Sequence, residues 1–205
     1  MTGIRERRGR ARVFVDGEFW AEIDGGVAAE HGLREGVELS ETELREVRVA
    51  GERPLAMSRA LNLLGYRARS ASEVRDRLRR AGYARETGEV VVSRLSELGY
   101  LDDEEYARTL ARERSRKYGP RRVYTDLRKN GVAEDVIETV IEEQFTEDSE
   151  REAAFAAASR RYNTGERSDA QARRVYGFLA RRGYSAEICA EVAREYRGSH
   201  TPGTG

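Results

Sequence analysis

Arginine and lysine side chains near the ends of three predicted helices are the residues of this sequence best suited to chemistry. Their cationic groups bind phosphate or carboxylate oxygens, and arginine does so through two parallel hydrogen bonds. The densest run surrounds Gly119-Pro120, where proline suits the first helical position and the helix dipole disfavours the two cations that follow. We therefore expect a surface that binds phosphate or an acidic protein. The candidate residues are Arg75, Arg79, Arg80, Arg116, Lys117, Arg121, Arg122, Arg128, Lys129, Arg173, Arg174 and Arg181.

Acidic residues balance these cations in number and alternate with them along the chain. The sequence has 37 arginine and lysine residues and 37 aspartate and glutamate residues, so its formal net charge is zero. Basic segments at 67–85, 116–129 and 160–182 are separated by acidic segments at 86–105 and 133–152. Exposed ion pairs between neighbouring helices would also produce this pattern, and each pair contributes little to stability. A binding surface and a solvated, self-neutralising face therefore remain alternatives.

Side chains that could support catalysis or hold a metal are scattered. His31 and His200 have no partners in the sequence for a metal site or a catalytic triad, and Cys189 lies in an apolar helical pattern typical of a core. The acidic run at 102–105 lacks the ligand spacing and central glycine of a calcium loop, and it suits the capping of a helix N-terminus. There is no glycine-rich phosphate-binding motif. The sequence predicts a non-enzymatic protein without a cofactor or a metal.

The composition is that of a soluble protein with an ionic surface. Hydrophobic residues make up 39% of the chain and charged residues 36%. No apolar run approaches the length of a membrane span, and the arginine-rich first ten residues are not followed by the apolar segment of a signal peptide. We therefore expect a cytoplasmic protein.

One pattern of apolar residues and glycine occurs three times with unchanged internal spacing. Two apolar residues four positions apart share a helix face, and a glycine four positions later can adopt the left-handed conformation that ends a helix. Further amphipathic segments lie before and after each copy, which indicates units of three helices. Tandem units of this size stabilise one another by stacking. The copies are Val74, Leu78 and Gly82; Val123, Leu127 and Gly131; and Val175, Leu179 and Gly183.

A β-hairpin is predicted near the N-terminus, where Asp16-Gly17 separates two segments rich in β-branched and aromatic residues. Segments 27–33 and 44–49 are candidate helices to pack on it, and Ser40 and Glu43 have the spacing of a capping box. A two-residue turn fixes the cross-strand register. The expected pairs are Val15 with Glu18, Phe14 with Phe19, and Val13 with Trp20.

These patterns predict a mainly α protein of three tandem three-helix repeats in an elongated array, preceded by a small N-terminal β-hairpin and helix module. The purely helical part is expected to begin at Pro54. The expected segments are a flexible basic arm at 1–10, the hairpin and helix module at 11–50, repeats at 55–100, 101–146 and 147–197, and a disordered tail at 198–205.

A combination of motifs resembles the RecX family of bacterial recombination regulators. It comprises Leu98-Gly-Tyr-Leu-Asp-Asp-Glu-Glu-Tyr-Ala107, followed by Gly119-Pro120 and the second copy of the repeated pattern, with Leu78-Arg-Arg-Ala-Gly-Tyr83 earlier in the chain. The resemblance covers residues 55–197. It is weakest in the third unit, which has Asn163-Thr-Gly-Glu166 where the second has Gly119-Pro120.

Membership of that family would imply a helical repeat protein that lies along the groove of the RecA recombinase filament on single-stranded DNA. It would modulate filament growth, ATP hydrolysis, strand exchange and the coprotease activity that triggers the SOS response, with inhibition as the expected direction. The expected partners are the RecA filament and single-stranded DNA, reached directly or through the filament, and the protein is expected to be a monomer. The alternatives are a general DNA-binding repeat protein and a helical adaptor for an unrelated protein.

Overall fold

A computed structural model describes residues 3–163 and 167–197 of the chain, so the predicted tail at 198–205 and His200 lie outside it. The chain divides into two compact units, Met1–Asp102 and Asp103–Gly205. The mainly α fold is confirmed, with a small sheet before the helices. The elements are β1 Gly3–Arg7, β2 Arg10–Val15, β3 Glu18–Asp24, α1 Gly25–Glu30, α2 Glu41–Tyr66, α3 Ala71–Arg80, α4 Arg85–Glu97, α5 Asp103–Ser115, α6 Pro120–Lys129, α7 Glu134–Gln144, α8 Glu147–Tyr162, α9 Asp169–Arg181 and α10 Ala186–Arg194.

The sheet has three antiparallel strands in the order β1-β2-β3, with one more strand than the predicted hairpin. The prediction of a flexible arm at 1–10 is therefore wrong for residues 3–7. These residues form β1 because Ile4 lies opposite Val13 and packs against the core below the sheet, while the arginines around it stay exposed. Two-residue turns join the strands, and both turn residues have positive φ in each: Arg8 and Gly9 at 52° and 74°, and Asp16 and Gly17 at 50° and 85°.

The register of the predicted hairpin is correct near the turn and shifts by one residue beyond it. Val15 pairs with Glu18 and Phe14 with Phe19, but Val13 pairs with Ala21 because the ladder is irregular between Val13 and Phe14. The extra residue on β3 is Trp20. As in a β-bulge, Trp20 and Ala21 both pack toward the helices, whereas Phe19 stays on the opposite face.

The sheet packs on α1 and on the first part of α2. Most side chains of its core are small or β-branched, which allows close approach of strand and helix. Asp24 ends β3 and starts α1, since its carboxylate accepts hydrogen bonds from the amides of Gly26 and Val27. The buried members from the strands are Ala11, Val13, Ala21 and Ile23, those from the helices are Ala28 and Val47, and Leu33 comes from the loop between α1 and α2.

Helix α2 is longer than the sequence predicts. It begins at the predicted capping box, in which the Glu43 amide donates to the Ser40 hydroxyl and the Ser40 amide donates to the Glu43 carboxylate. It then passes through Pro54 without a break, so the helix predicted at 44–49 and the helical segment expected from Pro54 onward form one continuous helix. Pro54 is exposed and removes one helical hydrogen bond, but the buried face on either side of it continues from Val47 to Ala60. The free energy gained by burying that face outweighs the cost of the missing hydrogen bond.

Helices α2–α4, α5–α7 and α8–α10 form the three predicted three-helix repeats, each around its own apolar core. The repeated valine and leucine residues are fully buried in the middle helix of each repeat. Gly82, Gly131 and Gly183 have φ values of 92°, 71° and 85°, which confirms that each takes the left-handed conformation after a helix. The first repeat belongs to the first unit, and the other two belong to the second.

Two buried carboxylates hold the start of the third helix in the first and third repeats. Glu52 of α2 is 2% exposed and accepts hydrogen bonds from the Ala84 amide at 2.8 Å and the Thr87 hydroxyl at 2.7 Å. Glu150 of α8 accepts one from the Ser185 amide at 2.6 Å. A carboxylate is favourable at the positive end of a helix, and these two also link the first helix of the repeat to the third.

Candidate functional site

The second and third repeats meet where the N-terminus of α6 contacts the C-terminus of α9. The Gly119 amide donates to the Arg182 carbonyl at 2.9 Å, and the Arg121 amide donates to the Gly183 carbonyl at 3.1 Å. The positive end of one helix dipole therefore lies against the negative end of another. This contact offsets the electrostatic penalty that the sequence indicates for cations at the start of α6.

Arg122 has further partners inside the second repeat. Its guanidinium lies 3.3 Å from the Asp126 carboxylate and 5.6 Å from the ring centroid of Tyr118. Arg114 approaches the same carboxylate at 3.5 Å and the same ring at 5.9 Å. Arg122 therefore has a structural role, and its position does not require an external partner.

A groove of about 750 Å³ lies beside this junction, and five of its ten lining residues are basic. Three small residues of α8, Ala153, Ala156 and Ala157, line it and leave room for a bound group. None of the described residues that line it is acidic. We call its cations the groove cations: Arg116, Lys117, Arg160, Arg161 and Arg182.

Phe178 of α9 positions two of the groove cations. The guanidinium carbon of Arg182 lies 4.5 Å from the Phe178 ring centroid, and that of Arg161 lies 5.2 Å from it. Arg182 also donates a hydrogen bond to the Lys117 carbonyl at 3.1 Å. Cations against an aromatic ring keep their charge and hydrogen-bond donors for a ligand, because the ring contributes no competing carboxylate.

Within residues 3–163 and 167–197, no groove cation forms an ion pair with an aspartate or glutamate. Five positive charges around one concavity repel one another and lower the local potential energy of an anion. Arginine and lysine donors in this arrangement can bind several phosphate oxygens of one chain, or carboxylates on an acidic protein surface.

The structure separates the twelve residues predicted from the sequence into three groups. Arg116 and Lys117 line the groove. The three candidates of α3 pair with carboxylates of their own unit: Arg75 with Glu89 at 2.8 Å, and Arg79 and Arg80 with Asp76 at 2.8 and 3.6 Å. The remaining candidates are exposed outside the groove, namely Arg121, Arg122, Arg128, Lys129, Arg173, Arg174 and Arg181.

Three groove cations, Arg160, Arg161 and Arg182, are absent from the sequence prediction. Each lies at or just after the C-terminal end of a helix, where a cation also compensates the helix dipole. Because dipole compensation is enough to explain a cation at such a position, the sequence does not indicate that these three residues also line a groove. The signal that could have found them is the presence of Phe178 four residues before Arg182, a spacing that brings the ring and the guanidinium together.

The described residues offer little for metal binding or nucleophilic chemistry. They contain no group of three or more His, Cys, Asp or Glu side chains that could hold a metal ion. Cys189 is fully buried and its thiol donates a weak hydrogen bond to the Tyr184 carbonyl. Burial, with a smaller effect of Glu150, raises the pKa of this thiol to about 11, so it carries no thiolate at neutral pH. In the part of the chain that the structure describes, no helix has the length and apolarity needed to cross a membrane.

Comparison with known families assigns each repeat. Models of the first, second and third three-helix domains of RecX match residues 56–95, 102–141 and 148–192. The chain belongs to the RecX family. The first RecX domain begins inside α2, and the sheet precedes it. The groove lies where the second and third RecX domains meet, since Arg116 and Lys117 belong to one and the other groove cations to the next.

Curated RecX proteins are similar over different shares of their length. The regulatory protein RecX of Lactobacillus johnsonii is 33% identical over 136 residues, which are 65% of this chain and 50% of that protein. The chain thus spans about half the length of this relative. The regulatory protein RecX of Listeria monocytogenes serotype 4a is 26% identical over 196 residues, which are 93% of this chain and 72% of that protein.

Solved RecX structures share the fold. A crystal structure of regulatory protein RecX superposes with a TM-score of 0.65 and 27% identity, covering 94% of this chain and 98% of that one. The crystal structure of RecX from Lactobacillus salivarius gives a TM-score of 0.63 at 22% identity and covers 71% of this chain and 96% of that one. The second likeness supports the fold alone.

Proposed function

We propose that this RecX-family protein regulates homologous recombination and DNA repair by binding the RecA filament on single-stranded DNA. It lowers the recombinase, ATPase and SOS coprotease activities of the filament, acts in the cytoplasm as a monomer, and has no catalytic activity of its own. The observation that carries the proposal is the set of groove cations, because they lie together without carboxylate partners in the described structure.

The groove cations suit a partner made of protein and nucleic acid. Phosphates of a strand in the filament, and acidic side chains of the recombinase beside them, present anions at short intervals. The groove joins two RecX domains, so the contacts made by each domain add through their effective concentration. Binding across several recombinase subunits would then oppose the changes that accompany ATP hydrolysis and strand exchange.

A second candidate function is DNA binding without a recombinase. The same cations would bind the phosphates of a naked strand or duplex, and this binding would weaken steeply with salt because each contact releases a counterion. The two candidates differ in one observable, which is whether the protein prefers a recombinase-coated strand to a naked strand of the same sequence.

The experiment compares the wild type with a triple variant of the groove. Arg116→Gln, Lys117→Gln and Arg160→Gln remove three charges from exposed side chains that form no described hydrogen bond or ion pair, so the fold is preserved. Binding is measured to RecA filaments on single-stranded DNA, to the naked strand, and to RecA alone. The ATPase rate of the filament is measured in parallel.

The matched control removes three exposed arginines from α2, with Arg45→Gln, Arg53→Gln and Arg59→Gln. We expect the wild type to bind filaments in preference to the other two targets and to lower the ATPase rate, and the groove variant to lose at least ten-fold in filament affinity while the control does not. Equal binding to coated and naked strands would favour the second candidate. Unchanged ATPase and strand exchange at saturating protein would reject the proposal.

A further inference from the structure

The outer face of the N-terminal sheet carries an aromatic and basic surface that the proposed function does not use. Side chains alternate across a strand, and the alanine, valine and isoleucine residues that pack on the helices define the inner face. We call the other face the outer sheet surface. Its principal residues are Arg5, Arg7, Arg10, Arg12, Phe14 and Phe19.

Two phenyl rings form the centre of the outer sheet surface. Phe14 and Phe19 are cross-strand partners whose ring centroids lie 6.0 Å apart in an edge-to-face arrangement. Phe19 is 52% exposed even though Arg12 lies over its ring at 4.9 Å. The bulge at Trp20 keeps Phe19 on this face, so local backbone geometry presents the ring to solvent.

Like charges face one another beside these rings. Arg5 lies directly opposite Arg12, and Arg7 lies directly opposite Arg10. Such pairs destabilise an antiparallel sheet unless something else neutralises them. Glu22 of β3 lies directly opposite Arg12 on the same face and pairs with Arg10 at 2.8 Å. Among the described residues, no carboxylate forms an ion pair with Arg5, Arg7 or Arg12. Four arginines beside one glutamate leave the outer sheet surface with a net positive charge.

We propose that the outer sheet surface binds single-stranded nucleic acid, with an unpaired base stacked on Phe19 and the adjoining phosphates held by Arg5, Arg7 and Arg12. Aromatic rings stack on any base, and guanidinium groups both stack on bases and bind phosphates. A duplex hides its base faces in its own stack, so it could use only the arginines. An acidic protein could likewise use the arginines but would leave Phe19 without a partner.

This inference does not rest on the filament proposal, and its experiment contains no recombinase. Binding of a fluorescently labelled oligothymidylate to the full chain is measured by anisotropy for the wild type and for Phe19→Ala. Loss of one stacked base weakens binding by about ten-fold. The matched control is Tyr66→Ala, because Tyr66 is 88% exposed in the same unit and lies at the end of α2, away from the sheet.

A second arm follows the stacking contact directly. Trp20 is the only tryptophan of the chain, so Phe19→Trp in a Trp20→Phe background places the single indole on the outer sheet surface. A stacked base should quench its fluorescence in proportion to the bound fraction. In a third arm, Arg7→Gln with Arg12→Gln should reduce the slope of log affinity against log salt by about 0.7 for each phosphate that the variant no longer neutralises.

The expected result is a loss of single-strand affinity in Phe19→Ala, no change in Tyr66→Ala, quenching of the introduced indole, and no effect of Phe19→Ala on duplex binding. Unchanged single-strand affinity in Phe19→Ala overturns the proposal. So does competition by polyglutamate as effective as that by unlabelled oligothymidylate, which would assign the surface to an acidic protein.

Discussion

Gly183 and Arg122 are in backbone contact. A Cβ built on Gly183 would lie 2.5 Å from the Arg122 amide nitrogen, closer than any side chain can approach. Gly183 also has a φ of 85°, and its carbonyl accepts the hydrogen bond from Arg121. The junction between the second and third RecX domains therefore requires a residue without a side chain at this position, in addition to one that can end α9.

Gly183→Ala is expected to lower the free energy of unfolding by about 3 kcal/mol. About 1 kcal/mol comes from the left-handed conformation, and the remainder comes from overlap with the backbone of α6. Gly82→Ala is the matched control, since Gly82 has the same role and a φ of 92° but no atom within 4 Å of the added Cβ. It should lose only about 1 kcal/mol. Urea unfolding measures both, and equal losses would show that the junction tolerates a side chain.

Two glycines of α2 should respond in opposite directions to alanine. A Cβ on Gly51 would lie 2.6 Å from the Cβ of Ile23, whereas one on Gly65 would meet no atom within 4 Å. We expect Gly51→Ala to destabilise the first unit by about 2 kcal/mol through overpacking, and Gly65→Ala to stabilise it by about 0.5 kcal/mol through helix propensity. Thermal unfolding of the two variants tests this. A stabilising Gly51→Ala would mean that β3 can move away from the helix.

Glu52→Ala should destabilise the first repeat by about 3 kcal/mol, because it leaves the Ala84 amide and the Thr87 hydroxyl without their acceptor and Arg48 without its buried partner. Glu52→Gln retains an acceptor oxygen and should lose less. Glu46→Ala, at an exposed position of the same helix, is the control and should change the unfolding free energy by less than about 0.5 kcal/mol. A loss no larger than that of the control would show that Glu52 is dispensable.

Stability should fall in alkaline solution because of Cys189. Its thiol pKa is about 11 in the folded protein against a reference value of 9.0, so the folded state binds more protons between these values. Stability from this group is complete below pH about 9 and is lost as the pH rises toward about 11. Burial also raises the pKa of the Tyr184 hydroxyl, so the contribution of the thiol is isolated with Cys189→Ala.

The alanine variant should lose less stability than the wild type between the same two pH values, as measured by urea unfolding. At neutral pH the native thiol should resist disulfide reagents, and its labelling should follow global unfolding in urea. Rapid labelling of the native protein would contradict the burial of Cys189.

The three repeats could be predicted from the sequence because their signals are local. A valine, a leucine and a glycine at fixed spacing define a buried helix face and a helix end within nine residues. The capping box at Ser40 and the turn at Asp16-Gly17 are local in the same sense. Each of these signals depends on backbone conformations that neighbouring residues determine.

Features that depend on distant contacts could not be predicted in this way. Strand β1 has only Ile4 as an apolar anchor, and its arginines resemble those of a solvated arm. The bulge at Trp20 depends on how the inner face packs on α2. In the sequence Glu52 resembles an exposed helical acid, although two groups more than thirty residues away bury it.

The candidate site shows the same division. Arg116 and Lys117 were predicted from the density of cations near Gly119-Pro120, but their neighbours in the groove come from the next RecX domain. Whether a cation is paired also depends on tertiary structure. Arg75 forms an ion pair with Glu89, which α4 places next to it, whereas Arg160 has no such carboxylate partner among the described residues.

Helix α2 contributes to two cores in succession, since it packs on β3 through Gly51 and on α4 through its later turns. Its 26 residues make a continuous rod of about 39 Å. A hinge between the sheet and the first RecX domain would have to break that rod. The continuous helix therefore fixes the sheet rigidly to the first RecX domain. A nucleic-acid strand bound to the outer sheet surface would rotate together with that domain.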